Sequence, residues 1–143
     1  MPPSDGLVLT QGTFDLVHSN HVAFLREARA MGSRLVVGVH CDAEVTKYKH
    51  RPVLNEHERL MQVQAIRWVD EAFIDYEVPN AASLEALVQK YQPVHYVYGS
   101  EGWEEMFEPV IRRGIFRRLP YHDGISTSKI IATIRQRLDD GTL

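Results

Sequence analysis

The chain has 143 residues, 44% of them hydrophobic and 24% charged, with a formal net charge of −3. That fits a single domain over residues 1–143 and excludes a general basic field for nucleic acid, so any anion must be met by a local cluster. The lone cysteine, Cys41, excludes an intrachain disulfide framework, and the opening MPPSDG is neither a signal peptide nor a membrane span; a cytoplasmic protein with no membrane partner is expected.

Leu7–Thr10 is an apolar run of strand length, and helical spacing follows from about Asn20 to Met31, with Val22, Leu25, Ala28 and Arg29 as its stripe. RLVVGVH is a second strand, followed by a polar loop containing KYKHRP. A helix starts near Asn55, whose side chain can accept from the Glu58 amide while Glu58 reaches back to close a capping box. WVDEAFI reads as a third, less regular strand, NAASLEALVQKY as a helix and VHYVY as a strand. Then come the polar and aromatic GSEGWEEMFEPVIRR, a strand in GIFRRLP, and a last helix from about Thr127 to Leu138. The alternation predicts an α/β chain: a Rossmann-like, doubly wound, mainly parallel five-stranded sheet with helices on both faces.

Ligands of such sheets bind outside the carboxyl ends of the strands, which directs attention to the segments after each one. GTFDLVHSNH supplies Gly12, Asp15, His18 and His21 where a strand hands over to a helix. Free amides there suit phosphate, and two imidazoles add hydrogen bonds. KYKHRP gathers Lys47, Lys49, His50 and Arg51, a local concentration of charge in an acidic chain. DGISTSKI places Gly124, Ser126, Thr127 and Ser128 where the last helix opens, a second place for amides and hydroxyls to meet phosphate. Zinc on Asp15, His18 and His21 would lack a fourth ligand, because no further histidine or cysteine cluster accompanies them.

Taken in order, GTFDLVHSNH, RPVLNEHER, RWVDE and GISTSKI resemble the cytidylyltransferases of the HxGH nucleotidyltransferase superfamily, in particular those making CDP-glycerol, CDP-ethanolamine and CDP-choline. The resemblance runs from Leu7 to about Leu138. It implies that His18, His21 and Lys49 act on the triphosphate as catalytic residues. Gly12, Thr13, Phe14, Asp15, Lys47, Arg67, Gly99, Gly124, Ile125, Ser126, Thr127 and Ser128 are the implied nucleotide-binding set, with Arg67 near the cytosine or ribose. Trp103, Tyr121 and His122 fall on the acceptor side. No metal ligand is assigned.

Two positions depart from the family pattern. Asn20 stands in place of the glycine between the histidines, and Tyr121 in place of an arginine before GISTS. The implied reaction is attack by a phosphate or phosphonate oxygen on the α-phosphorus of CTP, with pyrophosphate leaving and Mg²⁺ on the triphosphate. Acceptors of the class include 2-hydroxyethylphosphonate, in fosfomycin-type biosynthesis, where the domain can be part of a longer enzyme, and phosphoethanolamine, phosphocholine and glycerol 3-phosphate; both departures sit near the phosphate-handling motifs, which leans the reading toward the phosphonate. Adenylyl transfer from ATP and a non-catalytic CTP-binding module are the alternatives, and a homodimer is the expected assembly.

Overall fold

The computed structural model describes residues 5–102 and 104–143. Its strands are β1 (Leu7–Gly12), β2 (Arg34–His40), β3 (Glu71–Asp75), β4 (His95–Tyr98) and β5 (Phe116–Arg118). Its helices are α1 (Ser19–Arg29), α2 (Asp42–Tyr48), α3 (Glu56–Gln64), α4 (Ala81–Tyr91), α5 (Glu108–Arg112) and α6 (Thr127–Asp139). The sheet runs β3-β2-β1-β4-β5 and every pairing is parallel. The doubly wound fold read from the sequence is therefore present.

Period-two alternation in the central strands sends successive side chains to opposite faces. On one face Val8, Leu35, Val37 and Val39 pack with Phe24, Leu25 and Ala28 of α1 and Val63 of α3. On the other, Leu9, Val36 and Tyr96 pack with Leu84 and Val88 of α4 and with Phe107 and Val110 around α5. Helices thus cover both faces, which is why β1 and β2 read as nearly continuous apolar runs. In α1 the buried stripe is His21, Phe24, Leu25 and Ala28, whereas Val22, expected in it, is on the outside.

Some elements differ from expectation for local reasons. Asp42 and Glu44 in the first turn of α2 suit a helix dipole, and that seven-residue helix occupies what reads as loop. A proline in its first turn starts the short α5. At α3, Asn55 accepts from the Glu58 amide at 2.9 Å, but no capping box closes. β3 begins at Glu71, since Asp70 spends its carboxylate on the Leu35 amide at 2.8 Å and its own N–H on Leu35 O at 3.0 Å.

No residue of α6 is buried. Its position therefore depends on ties at its amino end. Among the described residues no helix is long and apolar enough to cross a membrane.

Candidate active site

The strand order reverses between β1 and β4, and a cleft of about 1150 Å³ opens there at the carboxyl edge of the sheet. The loop after β1 forms its floor. Phe14 and Leu16 adopt left-handed backbone, φ 53° and 51°, conformations that L-residues hold only when their surroundings enforce them. Gly12 makes this loop possible, because a Cβ there would lie 2.7 Å from the Phe14 ring. Asp15 fixes the opposite wall: its carboxylate accepts from the amides of Val53 at 2.7 Å and Leu54 at 3.0 Å.

The histidines open α1. His18 is its N-cap, and Nδ1 accepts from the Asn20 amide at 3.2 Å; His21 Nδ1 accepts from the His18 amide, also at 3.2 Å. The rings stack with centroids 3.8 Å apart. With both Nδ1 atoms accepting, the ring proton of each neutral imidazole is on Nε2. The pair is thereby fixed as two adjacent donors.

Lys47, Lys49, His50 and Arg51 line the cleft beside them. Lys47 is paired with Glu44 at 2.7 Å, while Lys49 and Arg51 form no ion pair with the described residues. The far side is the start of α6, where Gly124, Ile125, Ser126, Thr127 and Ser128 line the cleft. Ser126 caps α6 by accepting from the Lys129 amide at 3.1 Å, and Thr127 donates to Asp15 O at 2.8 Å. Gly12, Thr13 and Gly99 also line it, so the structure brings together nearly all of the residues expected at the phosphates.

Arg67 is the exception. α3 starts beside Asp15 at the carboxyl edge and, over nine residues or about 13 Å, carries the chain back toward the amino edge. Arg67 is left there, exposed, with its guanidinium 5.2 Å from the Trp68 ring centre. Trp103 lies outside the described residues. Tyr121 packs where a Gly99 Cβ would be, 2.6 Å from its ring, and stands against Phe24 and edge-on to His21. The tyrosine thus serves as an aromatic wall behind the second histidine. His122 lines the cleft, but its ring is engaged by Glu27 at 2.9 Å.

Three site features have partners or surroundings that the sequence does not name. Asn20 donates across the cleft to the segment before α6. Arg59 is wholly buried and holds Thr13 O, Leu54 O and Asp42. His40 lines the cleft at the end of β2, 3% exposed, with Nδ1 unpartnered among the described residues. The ER of RPVLNEHER was the available signal for Arg59; Asn20 carried only its departure from glycine.

Residues 9–133 match the family described as cytidylyltransferase-like. The chain belongs to that cytidylyltransferase-like family. It is 37% identical to ethanolamine-phosphate cytidylyltransferase from Mus musculus over 87% of this chain and 31% of that protein. FAD synthase from Aciduliprofundum boonei is 35% identical over 93% of both chains. A lipopolysaccharide core biosynthesis protein from Thermoplasma volcanium shares the fold with a TM-score of 0.69, at 24% identity over 82% of this chain and 98% of that one. The chain thus spans about a third of its ethanolamine-phosphate relatives. Membership of the cytidylyltransferase-like family supports nucleotidyl transfer in general.

The charge state of the histidine pair follows from its surroundings. Burial, then the neighbouring His18, pushes His21 down to about 4; burial, then Lys49 and Arg59, pushes His40 to about 4 against the opposing Glu44. Burial lowers His18 as well. The folded chain therefore refuses protons that the unfolded chain accepts below about 6.5, so stability is full above that pH and falls as pH drops toward 4. Each of His21 and His40 contributes on the order of 3 kcal/mol to that fall. Urea midpoints at pH 7.5, 6 and 5 should decline in that order; equal midpoints would contradict the burial of these rings.

Among the described residues no group of three or more His, Cys, Asp and Glu side chains could hold a metal ion. Asp15, the nearest carboxylate to the histidines in sequence, is occupied by two amides.

Proposed function

We propose that the chain transfers CMP from CTP to a phosphate or phosphonate oxygen of a small alcohol and releases pyrophosphate. The observation that carries the reading is the fixed pair of Nε2–H donors at the start of α1, facing a cleft whose far wall is the start of α6. Neutral imidazoles suit this task, since they donate to phosphate oxygens without needing to be charged at neutral pH. Lys49 adds a cation, and the free amides of α6 add the positive end of a thirteen-residue helix.

The acceptor oxygen forms a bond to the α-phosphorus as the bond to pyrophosphate breaks in line with it. No protein nucleophile is required. The residues align the two anions and meet the charge that develops on the phosphoryl oxygens. A magnesium ion carried with the triphosphate would supply further neutralisation of its charge, beside what His18, His21 and Lys49 provide. The cleft exceeds the usual volume of a single small-ligand pocket, which leaves room for a nucleotide and an acceptor together.

The names of the ethanolamine-phosphate relatives put phosphoethanolamine first among acceptors, ahead of 2-hydroxyethylphosphonate, phosphocholine and glycerol 3-phosphate. The FAD synthase relative, matched along nearly its whole length, favours a second reading, adenylyl transfer from ATP in the same frame. Pyrophosphate release with CTP or ATP, magnesium and these acceptors plus FMN separates the two. Turnover with CTP and one phospho- or phosphono-alcohol is expected. Turnover with ATP alone would replace the first reading by the second, and CTP binding without any turnover would make the chain a nucleotide-binding module.

A further inference from the structure

Asn20 is the second residue of α1 and 7% exposed. Its side-chain amide donates to His122 O at 2.7 Å and to Ile125 O at 2.6 Å, reaching more than a hundred residues along the chain. The two carbonyls flank a turn made by Asp123 and Gly124, where Gly124 has a φ of 118°. One side chain with two N–H bonds therefore closes the turn that leads into α6.

The tie matters because few polar bonds join the turn before α6 to the rest of the cleft. Residues 121–124 are exposed, residues 121–125 belong to no helix or strand, and α6 buries none of its residues. Besides Asn20, the connections from this region to the β1–α1 segment include the packing of the Tyr121 ring against Phe24 and edge-on to His21, Thr127 Oγ1 to Asp15 O at 2.8 Å and the exposed His122–Glu27 contact at 2.9 Å. A glycine at position 20 would leave both carbonyls to water. It would still supply the backbone N–H that His18 Nδ1 accepts, so the helix cap does not require asparagine.

We propose that Asn20 is a positioning residue that assembles the wall of the cleft at the start of α6 before any ligand binds. Where a loop is ordered only by the phosphate it receives, part of the binding energy is consumed in ordering it. Here the ordering is done by the protein. The apparent affinity of a site falls by the fraction of molecules in the competent arrangement, so freeing the wall weakens binding without changing the chemistry of the bound state.

Hydrogen exchange on the free protein tests this directly, comparing wild type with Asn20→Gly and with Asn20→Ala, which avoids glycine's backbone cost. The amides of Lys129 and Ile130, which are bonded to Ser126, should exchange about tenfold faster in both variants, while those of β1, β2 and β4 keep their protection. Unchanged exchange at Lys129 and Ile130, or loss of protection across the sheet as well, overturns the proposal. Neither result needs turnover, so the exchange experiment stands apart from the proposed reaction, on which the kinetic half rests. In that half, KM for the nucleotide should rise about tenfold with kcat changing far less. A fall in kcat at unchanged KM would mean that Asn20 acts in the chemical step and would overturn a role in pre-assembly. Asn20→Asp, which sets a carboxylate against two carbonyls, should free the wall at least as much as glycine does.

Discussion

Replacing His18 by asparagine is expected to lower kcat about 100- to 1,000-fold while α1 and the rest of the fold stay in place. The choice of asparagine follows from the two tasks of this side chain. As N-cap, His18 accepts from the Asn20 amide through Nδ1, and asparagine offers an oxygen for the same bond. As one of the stacked pair, it presents an Nε2–H that the shorter amide cannot put in the same place. The variant therefore removes the proposed phosphate donor and keeps the cap. His18→Ala removes both, and should lose a further 1 kcal/mol or so of stability, visible as a melting temperature lower by about 2 to 4 °C. Single-turnover rates at saturating CTP and acceptor, with thermal melts of both variants, make the measurement. A kcat within tenfold of wild type for a folded His18→Asn would leave the imidazole pair without a catalytic role.

The contrast between these two tasks shows what a sequence reveals and what it hides. The HSNH stretch was readable as a pair at the mouth of the cleft, because a strand followed by glycine and a helix start limits where the side chains can go. The stack and the shared Nδ1 bonds, which fix both tautomers, were not readable; they depend on the angle at which α1 leaves β1. The central strands were legible because Val8 and Leu9, or Val36 and Val37, serve opposite faces of one buried sheet. α2 was not, since a seven-residue polar helix held by reciprocal bonds between Asp42 and Glu56 has the composition of a loop. Arg67 shows the opposite failure: the motif was legible, but its place at the far end of a crossover helix follows from the length of α3. Tyr121 reads as a lost cation in the sequence and as a wall against Gly99 and His21 in the fold.

Arg59 carries the largest expected effect on stability. Its side chain is 0% exposed, and its guanidinium donates from Nε to Leu54 O at 3.0 Å, from Nη1 to Thr13 O at 2.7 Å and from Nη2 to Asp42 Oδ1 at 2.7 Å. The three acceptors belong to the loop after β1, the segment before α3 and the start of α2, which are the three pieces that frame the histidine side of the cleft. A buried arginine gives no assurance of net stabilisation, since taking the charge out of water costs energy that its partners must offset. Removing it alone is a different matter, because the partners are left without a donor and the space it filled is left empty. Arg59→Ala should therefore cost about 3 to 5 kcal/mol, a large share of what a domain of this size has. Arg59→Lys should cost less but still exceed about 1 kcal/mol, since an ammonium cannot reproduce the fork that meets three acceptors in different directions. Urea unfolding with an unchanged slope and a shifted midpoint reads both values. The lysine variant also separates stability from function. If the frame around Thr13 and Leu54 sets the cleft, the folded Arg59→Lys protein will bind CTP more weakly than wild type, without urea and at a temperature where both are fully native. Wild-type affinity in that variant, or a cost for Arg59→Ala below about 1 kcal/mol, would show that Asp15, which already holds the Val53 and Leu54 amides, is sufficient to keep the wall in place.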